Sequence, residues 1–115
     1  MWLQARAIMG LIRGSLKLSI TPKAESDLAR TWLYTCEEWG PDQADKYLDQ
    51  LEAGMKQLIG HSLLGVDYAH VLAGYRRLQV EHHGVFYQLL ESELLVVRVL
   101  HEDMDAPQRL VIDAN

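Results

Sequence analysis

The apolar positions change period along the chain, and each change marks an element. Leu16 to Ile20 (LKLSI) alternates apolar and polar residues, the pattern of a short strand. Thr21-Pro22 then supplies a helix start, because threonine caps free backbone N–H groups and proline is tolerated at the first helical position. Ala24, Leu28, Trp32, Thr35 and Trp39 recur every three or four residues and predict one buried stripe on a helix over 22–39, widened by Tyr34 and Cys36. Gly40-Pro41 breaks this helix and starts a second over 41–59. There Ala44, Tyr47, Leu48, Leu51, Met55, Leu58 and Ile59 hold the helical period. Asp42–Lys46 and Glu52–Lys56 are acid-first pairs four residues apart, which support an exposed helix face.

From Gly60 to Gly74 (GHSLLGVDYAHVLAG) the period fades into a loop that keeps Leu63, Leu64, Val66, Tyr68, Val71 and Leu72. So many apolar residues without a repeat either fold back on the domain or await a partner. In Tyr75 to Asp105, the turn-like breaks His82-His83-Gly84 and Glu91-Ser92-Glu93 separate three apolar runs, which read as an antiparallel meander. The third run, Leu94 to Leu100, is apolar at odd and even positions apart from Arg98. It is expected to be a central strand covered on both faces. It ends in the polar cluster His101-Glu102-Asp103-Met104-Asp105. The tail from Ala106 to Asn115 is expected to add one helical turn, and little to the core beyond Leu110 and Val111. The order predicts an α+β fold: an N-terminal strand and a helical hairpin packed on a small, mainly antiparallel sheet.

A chain of 115 residues suits a single domain with a real core. Residues 16–115 are assigned to it, and residues 1–15 (MWLQARAIMGLIRGS) to a flexible N-terminal extension, with Met9 a candidate internal start. Arg6 and Arg13 interrupt that segment, so it lacks the unbroken apolar core of a signal peptide. The net charge of −5 argues against a surface built to hold phosphates, and thus against direct, specific nucleic-acid binding. The only cysteine, Cys36, excludes an internal disulfide and is compatible with a reducing cytoplasm. No apolar run approaches the ~20 residues that span a bilayer. His82 and His83 have no third ligand at characteristic spacing, and His61 and His70 lie in the irregular loop, so no metal site is expected. No phosphate loop is present, and no cofactor is implied.

Several stretches together resemble the ParE toxins of type II toxin–antitoxin systems, within the RelE/ParE superfamily. They are Thr21-Pro22-x-Ala24-x-x-Asp27-Leu28, Tyr34-Thr35 with Glu38-Trp39-Gly40, Tyr47-x-x-x-Leu51-Glu52, Glu81-His82-His83-x-Val85-Phe86, and Val99-Leu100-His101-Glu102-x-Met104-Asp105-x-x-x-Arg109-Leu110. The likeness runs in order from Leu16 to Leu110. It departs at Asp103, where relatives commonly carry arginine. The resemblance implies a ParE/RelE-type fold, a cognate ParD-like antitoxin as partner, and DNA gyrase as target, inhibited by protein contact without catalysis. Target-binding residues are then expected at or beyond the end of the central strand: Arg98, His101, Glu102, Met104, Asp105 and Arg109. The antitoxin is expected on the apolar loop, at Leu63, Leu64, Val66 and Tyr68, and in a groove between the hairpin and the sheet.

The RelE branch of the superfamily, which cleaves messenger RNA on the ribosome, is the competing function. Such cleavage needs a base for the 2′-OH, an acid for the leaving oxygen and cations for the developing charge. Arg76, Arg77, Arg98, His101, Tyr75 and Tyr87 offer candidates. Residues 98 and 101 of one strand, however, project to opposite faces, and Glu102, Asp103 and Asp105 repel phosphate. No catalytic residue is therefore assigned. A third reading is a harmless homodimerising scaffold. Whichever reading holds, each of these residues also has a plain structural role open to it: Met104 and Leu110 as packing that folds back, and Arg98 as the partner of a helix carboxylate.

Overall fold

Thr21 is the hinge between the first long strand and the helical layer. Its hydroxyl accepts the Ala24 N–H at 3.1 Å and donates to the Val97 carbonyl at 2.7 Å, so one side chain caps a helix and fastens it to the sheet. The computed structural model describes residues 12–13 and 16–114. Its elements are β1 (Ile12–Arg13), β2 (Leu16–Ile20), α1 (Pro22–Trp39), α2 (Pro41–Gly60), β3 (Val66–Asp67), β4 (Tyr75–Val80), β5 (His83–Leu89), β6 (Glu93–His101) and α3 (Ala106–Ala114). The flexibility expected of residues 1–15 falls almost wholly outside the described residues. Within that stretch, Ile12 and Arg13 pair antiparallel with β2.

The sheet runs β1-β2-β6-β5-β4-β3. β6 is central: it is parallel to β2 and antiparallel to β5. On one face Leu18, Val85, Tyr87, Leu94, Val96 and Val99 meet Ala24 and Leu28 of α1 and Leu48, Leu51, Met55 and Leu58 of α2. On the other, Tyr75, Phe86 and Leu100 meet Leu110 of α3, with Tyr68 and Leu72 packed alongside. The unalternating run Leu94–Leu100 thus reflects two covered faces.

A β-bulge decides which face each end of β6 serves. Phe86 pairs with Arg98 and Tyr87 with Val96, which leaves Val97 without a β5 partner. Leu94 and Val96 face the hairpin before the bulge and Val99 faces it after; Val97 packs on the opposite side. His101 follows Val99 in phase, and so it too looks toward the hairpin.

Several expectations change. The first hairpin turn is Glu81-His82, with Glu81 in the left-handed region at φ 50°; His83 and Gly84 belong to β5, opposite Val80 and Gln79. Gly84 is small for packing, since a Cβ there would lie 3.0 Å from Arg77 Nε and from the Phe86 ring. Glu93 likewise pairs with Lys17 instead of turning. Trp39 and Tyr34 are 74% and 66% exposed, because the buried face of α1 centres on Ala24, Asp27 and Leu28 and rotates past them. The tail forms a nine-residue helix instead of one turn. Leu110 is fully buried in it, whereas Val111 is exposed.

Candidate functional site

A groove of about 1000 Å³ opens where the hairpin meets the far end of the sheet. Thr31, Tyr34 and Trp39 of α1 and Lys46 and Tyr47 of α2 form one wall. The Glu81-His82 turn, Asp103 and Met104 form the other, with His83 of β5 and His101 of β6 between the two. Exposed apolar area is concentrated at its rim in Tyr34, Trp39 and Met104, the last 40% exposed. Clusters of exposed large hydrophobics are what protein-binding surfaces present.

A row of histidines forms the floor. His83 and His101 are register partners on β5 and β6, and their rings meet edge to face at 5.2 Å. His82 stacks against His101 at 6.4 Å. The bonding around His83 assigns its proton. Thr31 donates its hydroxyl to the Asp27 carbonyl, so it is left to accept from His83 Nε2 at 3.3 Å. Tyr47 accepts the His82 N–H, which leaves its own O–H to donate to His83 Nδ1 at 2.7 Å. His83 is therefore neutral, protonated on Nε2. Burial pushes its pKa down to about 4, with His101 and His82 acting in the same direction. Burial also raises the Tyr47 phenol, which is held as a proton donor to the imidazole. At the rim, His82 Nδ1 contacts Glu102 at 3.0 Å, and His101 Nδ1 accepts the Asp103 N–H at 3.0 Å. Among the described residues no group of three or more histidine, cysteine or acidic side chains is arranged to hold a metal ion.

The residues expected from the sequence separate into distinct places. His101 and Met104 line the groove, and Glu102 sits beside His82 at its edge. Asp105 caps α3 by accepting the Gln108 N–H at 3.1 Å, and Arg109 is exposed on the first turn of that helix. Arg98 is elsewhere: it is 7% exposed and bonded to Asp27 of α1 and Asp113 of α3. Its bonds to Asp27 raise its pKa further. Burial alone would raise the Asp113 carboxyl, but its bonds to Lys23 and Arg98 hold it below the usual range. Arg98 thus fastens the tail helix to the hairpin and presents no free cation.

The expected antitoxin residues are also divided. Leu63, Leu64 and Val66 are 66%, 50% and 60% exposed, whereas Tyr68 turns inward against Phe86, ring to ring at 5.2 Å. The exposed trio follows the C-terminal end of α2, while the groove is lined by that helix's first half. At 1.5 Å rise per residue the two surfaces are roughly 20 Å apart. Sequence reasoning missed Tyr34, Trp39, Tyr47 and His83 as groove residues by placing the first three in buried stripes and the last in a turn. The available signal was the position of Tyr34, off the three-and-four spacing of α1.

No helix among the described residues is long and apolar enough to cross a membrane. The family model for the ParE toxin of the type II toxin–antitoxin system parDE matches residues 18–106. Toxin ParE1 of Mycobacterium tuberculosis is 33% identical over 97 residues, covering 84% of this chain and 99% of that protein. Toxin ParE of Escherichia coli is 37% identical over 92 residues, covering 79% and 89%. In fold, the chain is similar to a structure described as the chromosomal ParDE toxin–antitoxin system from P. aeruginosa. The TM-score is 0.67 at 22% identity, over 73% of this chain and 92% of that one. The family model's span, 18–106, takes in the hairpin, the whole meander and the groove between them, and the chain belongs to the ParE toxin family of type II toxin–antitoxin systems.

Proposed function

We propose that this toxin acts in the cytoplasm by inhibiting DNA gyrase through protein contact, and that a ParD-like antitoxin neutralises it. The observation that carries this reading is the groove, whose rim presents Tyr34, Trp39 and Met104 to solvent beside His101. A protein surface is the chemistry such a rim fits, since aromatic and methionine side chains are enriched where proteins meet. The antitoxin contacts the Leu63, Leu64 and Val66 surface, and by the same expectation reaches into the groove between hairpin and sheet, with spaced apolar anchors on a segment that folds as it binds.

The ribonuclease alternative draws support from His101, which is partly exposed in the groove. It is the weaker reading because the cation on β6 is spent: Arg98 is bound by two carboxylates and faces away from His101. His83, the adjacent imidazole, is buried and neutral, and Asp103 adds negative charge where phosphate would lie.

The test uses purified protein in two assays. It is expected to inhibit gyrase supercoiling, or to trap cleaved DNA complexes, and to leave ribosome-bound message intact. Ribosome-dependent cleavage that is lost in a folded His101→Ala variant, at the partly exposed imidazole of the groove, overturns the gyrase reading in favour of the nuclease.

A further inference from the structure

The three aliphatic residues after α2 stand in solvent, yet the backbone beneath them is held by side chains from the sheet. Tyr87 on β5 is fully buried, and its hydroxyl donates to the Ser62 carbonyl at 2.8 Å and accepts the Gly65 N–H at 3.0 Å. Arg76 on β4 reaches over the same turn. Its Nε and Nη2 donate to the Gly65 carbonyl at 3.1 and 2.6 Å, and Nη2 also meets the Leu63 carbonyl at 3.2 Å. The fit leaves no slack: a Cβ on Gly65 would lie 2.7 Å from the Tyr87 hydroxyl and 2.8 Å from the Arg77 carbonyl.

Packing alone does not call for this arrangement. Phenylalanine at 87 would fill the same core volume, and Leu63, Leu64 and Val66 bury little on this domain. Two polar side chains of the sheet are therefore committed to a segment from which Leu63, Leu64 and Val66 look outward. These bonds satisfy the buried Tyr87 hydroxyl and the backbone of the turn, and in doing so they also fix an outward apolar geometry that suits a docking partner.

We propose that the Tyr87 hydroxyl and the Arg76 guanidinium are positioning groups for antitoxin recognition, holding residues 62–66 so that Leu63, Leu64 and Val66 are presented already ordered. The proposal rests on the reading that this loop meets the antitoxin. Its partner is an amphipathic segment with spaced aliphatic anchors. Ordering a loop at the moment of binding lowers affinity, and holding it beforehand removes that loss.

The probe is the purified product of the reading frame adjacent to the toxin gene, titrated calorimetrically against the full chain. Tyr87→Phe is expected to weaken binding about tenfold, through a more unfavourable entropy. The heat-capacity change should be unaltered, because the same apolar area is still buried. Hydrogen exchange at the Gly65 amide should accelerate while the amides of β6 stay protected, a pattern general destabilisation does not give. Arg76→Gln, a change at a half-buried side chain, should act in the same direction and serves if Tyr87→Phe does not fold. Unchanged affinity in a folded variant with a loosened loop overturns the positioning role. A Leu63→Ser, Leu64→Ser, Val66→Ser triple variant is run beside them. If it binds normally, the underlying reading fails and the proposal with it. If it binds weakly while Tyr87→Phe and Arg76→Gln bind normally, only the proposal fails.

Discussion

Arg98 and Asp27 meet through two parallel bonds, Nε to Oδ2 at 2.7 Å and Nη2 to Oδ1 at 2.8 Å. The same carboxylate accepts the Val99 N–H at 3.0 Å. β2 stops pairing with β6 at Val96, and beyond that point Thr21 and Asp27 supply the hydrogen bonds that a longer strand would have made. A helix side chain thus finishes the edge of the central strand, and the cation beside it ties α1 to α3.

Removing the cation should therefore be costly. Arg98→Ala leaves Asp27 buried and unpaired, for an expected loss of about 3–5 kcal/mol. Asp113→Asn, at the more open end of the network, should cost about 1 kcal/mol. Urea denaturation of the two variants measures both. Equal losses would mean that the tail contact, and not the bond to Asp27, dominates.

Stability should fall as the solution is acidified through the range set by His83. Its folded pKa, about 4, lies below the ordinary histidine value, so between roughly pH 6.5 and 4 the unfolded chain binds the extra proton. Stability is fully present above that window and is lost as pH falls through it, by at most about 3 kcal/mol. His83→Gln should flatten this part of the stability–pH curve. A wild-type curve that is flat from pH 6.5 to 4.5 would show that the imidazole is not held neutral.

The helical hairpin, the meander and the central position of β6 were readable because long periodic segments and unbroken apolar runs have few physical interpretations. The bulge at Val97 was not, since nothing in ELLVVRVLH marks where one extra residue is accommodated. That single residue sends His101 to the hairpin face and Arg98 to the other. That Arg98 pairs with a helix carboxylate was open to sequence reading, but the choice of Asp27 was not, since the pairing spans 71 positions and leaves no local pattern. Tyr34 and Trp39 were misplaced for a different reason: an aromatic residue near a helical stripe looks like core until the neighbouring layer is known to end short of it.

The groove rim offers a clean separation of fold from action. Trp39 is 74% exposed, so Trp39→Ala should change stability by less than about 0.5 kcal/mol. It should nevertheless reduce gyrase inhibition at least about tenfold if the residue is an interface anchor. Asp103→Arg, which installs the arginine that the resemblance leads one to expect there, should leave the fold intact and preserve or increase toxicity. Growth arrest on induction and a supercoiling assay report both, and undiminished inhibition by folded Trp39→Ala would remove the groove from the target interface.

The tail requires a gentler test than deletion. Leu110 is fully buried against Tyr75, Phe86 and Leu100, so Leu110→Ala alone should cost about 2–4 kcal/mol. A chain stopped at Asp105 would lose that contact, uncover the aromatic face of the sheet and strip Asp113 from Arg98. Against a total of ~5–15 kcal/mol, such a chain is expected to be marginal, and its failure to kill would say nothing about target contact. Arg109 and Met104 are exposed and can be changed without touching the core. Arg109→Ala and Met104→Ala should each melt within a few degrees of the parent chain, and together they should weaken gyrase inhibition while antitoxin binding at the Leu63–Val66 surface stays intact. If the folded double variant inhibits gyrase as strongly as the parent, the end of the central strand and the first turn of α3 do not meet the target.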